Sequence, residues 1–344
     1  MIALGSALAA ALIAAASAAS ADSVQRWNIG GTGGWDYLTA DAATHRLYVP
    51  RFDRVIAVDT RDGHVVGTVP GTEGVHGVAL DPKSGKSYTS NGRGDNVTKF
   101  DAASLRVEGT YPVSGQGPDA IVFDESSGEI WTFNGKSRDA TVLAPDGRIV
   151  ATLPLAGRPE FAVSDAHGTI FVNDEEHANL IAIDVAAHRV RATWKLVDCE
   201  EPSGLALDAA HKRLFSVCRN GHMSIVDAAS GRHVATVPIG RGPDGAAFDA
   251  GLGNAYSSNG TDGTVTVVHE RDPDHFDVAA TLETQKSART IALDAGDHRL
   301  FLAAARFEET GTPSRPGHRP PMVPGSFAIL VVAPPVADGG QTGR

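Results

Sequence analysis

The chain has 344 residues, 42% of them hydrophobic and 21% charged, so it can bury a substantial core and is neither a disordered tail nor a disulfide-dense miniprotein. Its 38 Gly and 19 Pro against 3 Met favour a turn-rich all-β chain, because helices tolerate Gly and Pro badly. A formal net charge of -11 argues against nucleic acid or anionic lipid as a partner, since phosphate binding rests on clustered Lys and Arg.

Residues 2–21 carry no charge, run apolar from Ile2 to Ala16 and end in Ala19-Ser20-Ala21 before Asp22. This reads as a signal peptide over 1–21, cleaved after Ala21, and places the mature chain in the periplasm or outside the cell. A membrane anchor is the competing reading, but the stretch is short and Ala-rich. No later segment is long enough to cross a membrane, and the mature chain is expected without a span.

From Val24 onward the chain repeats. An apolar-x-apolar-Asp unit places its Asp at 41, 81, 124, 165, 208, 249 and 294, in steps of 40, 43, 41, 43, 41 and 45. An aromatic follows six or seven residues later each time: Tyr48, Tyr88, Trp131, Phe171, Phe215, Tyr256 and Phe301. Turn residues such as Pro82-Lys83-Ser84-Gly85 separate the two, so each pair of flanking runs reads as a hairpin. A third alternating strand follows (Val55 to Asp59, Ser224 to Asp227), then a turn and a fourth strand (Val66 to Pro70, Val234 to Pro238). Four strands per unit of just over forty residues is the period of a β-propeller blade. The seventh unit runs into Pro334-Pro335 without a fourth strand, whereas Val24 to Ile29 precedes the first unit and matches the fourth strands elsewhere. The expectation is an all-β, seven-bladed propeller over 24–333, with blade seven closed by the N-terminal strand and 334–344 left as a flexible tail.

The Asp, turn, aromatic pattern followed by Tyr88-Thr89-Ser90-Asn91, Tyr256-Ser257-Ser258-Asn259 and Tyr48-Val49-Pro50-Arg51 resembles the YVTN-repeat propellers, the YncE-like family of mostly exported bacterial proteins. The similarity spans residues 24–333. It implies a binding scaffold with no shared catalytic motif.

In a propeller, the loops entering the first strand and leaving the second share one face. Counting five back from each repeat Asp reaches the mouth of the central channel at Asp36, His76, Asp119, Glu160, Ser203, Asp244 and Arg289. Four carboxylates around one opening repel unless a cation or basic ligand compensates, although short side chains bonding turn amides along a water-filled channel are the favoured reading of these positions. The loops after the second strands add Arg51, Arg54, Asn91, Arg93, Asn134, Asp174, Glu175, Glu176, Arg219, Asn259 and Arg306; Asn-Gly at 91, 134 and 259 is first of all turn chemistry. The Pro-rich excursion 306–326 lies on the same face, as a lid or as a solvated loop. Of 13 His, nine (45, 64, 167, 188, 211, 233, 269, 275 and 298) fall on the opposite face and read as solvated turn residues; His76, His177, His222 and His318 belong to the loop-rich face. Cys199 enters the first strand of blade five and Cys218 ends the second, antiparallel neighbours that bring the pair within disulfide reach; two inert thiols are the alternative.

Serine-hydrolase, zincin, phosphate-loop and Cys-x-x-Cys signatures are absent. The leading reading is an exported, monomeric binding scaffold that takes a small ligand, a cation or an exported protein partner at its acidic funnel, without covalent chemistry and with no certain cofactor. The rival is a lactonase- or lyase-type enzyme in which Asp119, Glu160 and Asp244 hold Ca or Mg, with Asn134 in support and His76 as base. Nucleic-acid binding is disfavoured by the acidity.

Overall fold

The computed structural model describes residues 24–308 and 320–334. The proposed signal peptide, His318, most of the Pro-rich excursion and the C-terminal tail beyond Pro334 lie outside the described residues. Among the described residues no helix is long and apolar enough to cross a membrane.

Seven antiparallel sheets of four strands each form a seven-bladed β-propeller. Six blades are built from consecutive strands, as in blade two, whose order from inside to outside is Val75–Asp81, Lys86–Asn91, Asn96–Asp101 and Val107–Pro112. Blade seven takes its outer strand from the other end of the chain: Val24–Asn28 pairs antiparallel with Ala328–Val332, Val24 opposite Val332 and Asn28 opposite Ala328. No sheet edge is left between the first and last blades, which would otherwise offer a pairing template. Trp27 fixes the junction. It is buried, its ring sits 5.6 Å from that of Phe301, and it covers Gly63 in the last turn of blade one. Gly63 has φ +80° and a Cβ there would lie 2.3 Å from the indole, so only glycine fits under the latch.

The repeat signature has two structural jobs. The Asp closing each inner strand caps the following turn: Asp81 accepts from the Lys83 and Ser84 amides at 3.1 and 3.2 Å, and Asp249 from Gly251 and Leu252 at 2.9 and 3.2 Å. The aromatic on the second strand is buried in every blade. Several contact an aromatic of a neighbouring strand or blade, as in Phe215 stacked on Phe248 at 5.2 Å. Burying such a ring stabilises by roughly 1.5–3 kcal/mol, so seven of them carry much of the core.

Cys199 and Cys218 are joined, with a Cα–Cα distance of 5.2 Å and a sequence separation of 19. A cross-link closing a loop of this length removes about 3 kcal/mol of chain entropy from the unfolded state. Reduction is therefore expected to lower the melting temperature without dissolving the fold; identical melting with and without reductant would contradict this contribution.

Candidate functional site: the funnel

Backbone irregularity aims the funnel residues. In blades two to six the ladder between the first and second strands slips between the start of the inner strand and its body: Val75 pairs with Asn91 but Val78 with Thr89, and Pro118 with Asn134 but Ile121 with Thr132. The same slip follows Pro159, Pro202 and Pro243. His76, Asp119, Glu160, Ser203 and Asp244 sit in these irregularities. A β-bulge releases a residue from the alternation of its strand and re-aims its side chain. The preceding Pro, present in blades three to six, has no N–H to give to the ladder and suits the first position of a strand.

The blades lock these bulges through the second strand. Ser90 Oγ accepts from the Gly77 amide at 3.0 Å and donates to the Asp119 carbonyl of the next blade. Ser258 repeats the pattern on Gly245 and on the Arg289 carbonyl, and Asn173 Nδ2 donates to the Ser203 carbonyl at 2.9 Å. The Ser of the Tyr-x-Ser-Asn motif thus holds the neighbouring funnel residue in place. The Asn ties the second strand to the third: Asn91 Nδ2 donates to Asn96 and Thr98, Asn134 to Asp139 and Thr141, and Asn259 to Thr264 and Thr266. In blade four Asp174 takes this place and accepts from Asn179.

These contacts separate the sequence-derived site residues into two groups. Asn91, Asn134, Asn259 and Arg51 are fully buried within the blades, and the structure does not bring them to the funnel. Arg51 donates to the carbonyls of Gly30, Thr32 and Gly33 at 3.2, 2.9 and 3.1 Å and lies 3.6 Å over the Phe327 ring, which anchors the segment leading from the closing strand into blade one. Arg219 stays exposed, paired with Glu201 at the cavity rim.

The other group converges. His76 Nδ1 lies 2.7 Å from Asp36 Oδ2 and 3.4 Å from Asp119 Oδ1. The second distance is an ion-pair contact rather than a hydrogen bond, and it leaves Asp119 Oδ1 buried with no donor. Across the mouth Arg289 pairs with Asp244, donates to the Trp35 carbonyl at 2.9 Å and reaches within 4.0 Å of Asp36. Of the four carboxylates, Glu160 bonds neither His76 nor Arg289. It accepts at 3.1 Å from Tyr37 Oη, whose side chain spans from blade one to blade four and meets Phe161 edge-on at 4.9 Å. The signal for Tyr37 is the column four residues before each repeat Asp. There the chain has Tyr37, Gly77, Ala120, Phe161, Gly204, Gly245 and Thr290, and the small members leave room for one long aromatic.

Electrostatics follow from this crowding. Burial raises Glu160 from its ordinary 4.5 to about 8, with Asp119, Asp244 and Asp36 repelling its charge in turn. Burial and Asp36 likewise lift Asp119 to about 6 against the pull of His76. For His76, burial acts downward but is outweighed by the hydrogen bond to Asp36 and the charges of Asp119, Asp36 and Glu160, which carry it to about 9. Burial and the same carboxylates push Tyr37 well above its ordinary range, so it remains a neutral donor. At pH 7 His76 is thus an imidazolium, a proton donor rather than a general base.

Beside the mouth opens a cavity of 430 Å³ that includes Trp35, Glu160, Glu201, Ser203, Asp244 and Arg289 in its wall. Phe307 from the base of the Pro-rich excursion closes one side and packs against Trp35 at 6.1 Å. That base is ordered by the Phe307–Met322 bridge and by hydrogen bonds from Glu308 to Pro321 and from Val323 to Arg306. Among the described residues, Asp36, His76 and Asp119 are the funnel side chains whose ligand atoms approach within 4.8 Å of one another, whereas Asp244 is engaged by Arg289 and Glu160 by Tyr37.

No family model and no curated protein matches the chain. Solved structures do. The RRP9 WD40 repeats superpose with a TM-score of 0.77 at 9% identity, over 92% of this chain and 99% of that one. A streptogramin B lyase gives 0.70 at 12% identity, over 90% and 96%. The hydrazine synthase of Kuenenia stuttgartiensis gives 0.66 at 17% identity, over 78% and 92%. At these identities the likeness is one of fold.

Proposed function

We propose that this chain is an exported binding propeller of the YVTN-repeat type, whose funnel holds the cationic group of a small ligand without covalent chemistry. The observation that carries the reading is the imbalance at the mouth. Four inward carboxylates face two built-in cations, and Glu160 borders a 430 Å³ cavity while receiving only a phenol hydrogen bond. An ammonium or guanidinium group beside Glu160 and Asp119 relieves their repulsion, and Trp35 and Phe307 supply an apolar wall for the rest of the ligand. The test is a thermal-shift panel of agmatine, spermidine, Ca²⁺ and Mg²⁺ on the parent and on an Asp119→Asn/Glu160→Gln variant. Stabilisation of the parent by at least one amine, lost in the variant, is expected. Equal shifts in both proteins, or none in the parent, would refute the site.

A second reading, a divalent-cation enzyme of the lactonase or lyase type, draws on the approach of Asp36, His76 and Asp119 and on the fold shared with a streptogramin B lyase. A hard cation there would displace the His76 proton and polarise a substrate carbonyl. Stabilisation by Ca²⁺ or Mg²⁺ but by no amine, with turnover of a lactone, would favour it.

A further inference from the structure

On the opposite face, the longest repeat step leaves a distinct feature. The 45-residue step from Asp249 to Asp294 holds a hairpin of two nine-residue strands, Thr264–Asp272 and His275–Glu283, longer than any other strand among the described residues. Its tip leans onto blade five. Arg213 donates to the Pro273 carbonyl at 2.6 Å and bridges Asp227 and Asp274, and Phe276 meets Phe215 edge-on at 5.8 Å. The lean carries Glu270 of blade six against Asp208 and His211 of blade five.

Glu270 and Asp208 are both more than nine-tenths buried. Asp208 Oδ1 caps its turn through the Ala210 amide at 2.9 Å, Asp208 Oδ2 and Glu270 Oε1 share a single imidazole, and Glu270 Oε2 is buried without a hydrogen-bond donor. His211 Nδ1 stands 2.8 Å from Asp208 Oδ2 and 2.7 Å from Glu270 Oε1 and is paired with both, and half of its side chain faces solvent. Other histidines on this face are tied more simply: His298 bonds Asp249 and His269 bonds Asn254. One imidazole nitrogen shared between two buried carboxylates, with Glu270 Oε2 given no donor, is a costly arrangement for a blade contact, because buried acceptors need donors or a cation.

We propose that Asp208, His211 and Glu270 form a site for a first-row transition-metal dication, zinc or manganese, which staples the long hairpin of blade six to blade five. Their ligand atoms already lie within 4.8 Å of one another. An imidazole with two carboxylates suits zinc or manganese better than calcium, which prefers a shell of oxygens. Oxygen and nitrogen ligands of zinc lie about 2.0–2.2 Å from the metal, so the cluster opens slightly on loading, and the exposed His211 side chain permits that movement. Water would complete the coordination beside the half-exposed His211 side chain.

The site is separate from the funnel, and the experiment keeps the two apart. The full chain is stripped with chelator, then titrated with ZnCl₂, MnCl₂ and CaCl₂ by calorimetry and thermal melting, alongside His211→Ala, Glu270→Gln and the funnel variant Asp119→Asn. We expect one zinc or manganese ion to bind the parent and Asp119→Asn alike, and at least tenfold weaker binding in His211→Ala and Glu270→Gln. Loading with Co²⁺ should give a visible absorption band that His211→Ala lacks. Absence of zinc and manganese binding in the parent, binding undiminished in His211→Ala, loss of binding in Asp119→Asn, or calcium binding as tight as zinc would each overturn the assignment. His211→Ala alters a half-exposed side chain, so the test does not hinge on a variant that fails to fold.

Discussion

A chain that begins at Gly30 is expected to lose soluble folded protein. The deletion removes the outer strand of blade seven, leaving Ala328–Val332 without its partner, and takes Trp27 out of the cluster containing Phe301, Ile329 and Val331. It also removes Arg26, which donates to the Ser326 carbonyl at 2.9 Å. Truncating one buried Trp to Ala typically costs about 3–5 kcal/mol, a large part of the roughly 5–15 kcal/mol that holds an ordinary domain. Losing the whole strand exposes an apolar sheet edge as well, so aggregation accompanies unfolding. Soluble yield and the melting curve measure the effect. A truncated chain that melts like the parent would show that the ring does not depend on its latch.

Glu160→Gln is expected to change how stability depends on pH. Glu160 titrates near 8 in the folded protein against an ordinary 4.5, so the stability it confers is fully present below about pH 4.5 and is lost as pH rises through 8. Asp119 behaves alike between its ordinary 3.8 and about 6. His76 adds stability below about 6.5 that disappears as pH rises through 9, because its imidazolium is favoured by its neighbours. All three run in one direction, and the parent's melting temperature should fall from pH 5 towards pH 9.5. The amide of Glu160→Gln carries no charge at any pH and can still accept from Tyr37, so the part of the fall between pH 5 and 8 should shrink. The variant should therefore gain stability relative to the parent as pH rises from 5 to 8.5. Parallel curves for the two proteins would mean that Glu160 is ionised and solvated in the ordinary way.

Spacing carried most of the architecture. The seven Asp positions specify blade number and register because each Asp is itself the turn cap, and in blades two to six the bulge that faces the channel lies five residues back from it. Closure was legible because a strand was missing at one end and surplus at the other. The fates of individual polar groups were not. Asn91, Asn134 and Asn259 read as turn or rim residues, yet their amides are used inside the blade, where a Thr and an Asn, Asp or Thr of the third strand lie opposite. A repeat pattern describes one blade at a time, whereas the decisive contacts join different blades: Tyr37 to Glu160, Ser90 to Asp119, Glu270 to Asp208. For the same reason His211 reads as a solvated turn residue in its own repeat. Its second carboxylate neighbour arrives from the long hairpin 59 positions later.

The funnel's binding role meets its most direct test in calorimetric titration of the amine from the thermal panel that stabilises the parent most, at pH 7 in two buffers of different ionisation enthalpy. A cation seated beside Glu160 and Asp119 must draw their pKa values down, so binding should release protons, up to about one per ligand, and the observed enthalpy should differ between buffers. The release should vanish in Asp119→Asn/Glu160→Gln. Failure of every amine in the panel to bind, or binding with the same enthalpy in both buffers, would contradict a cation-binding funnel.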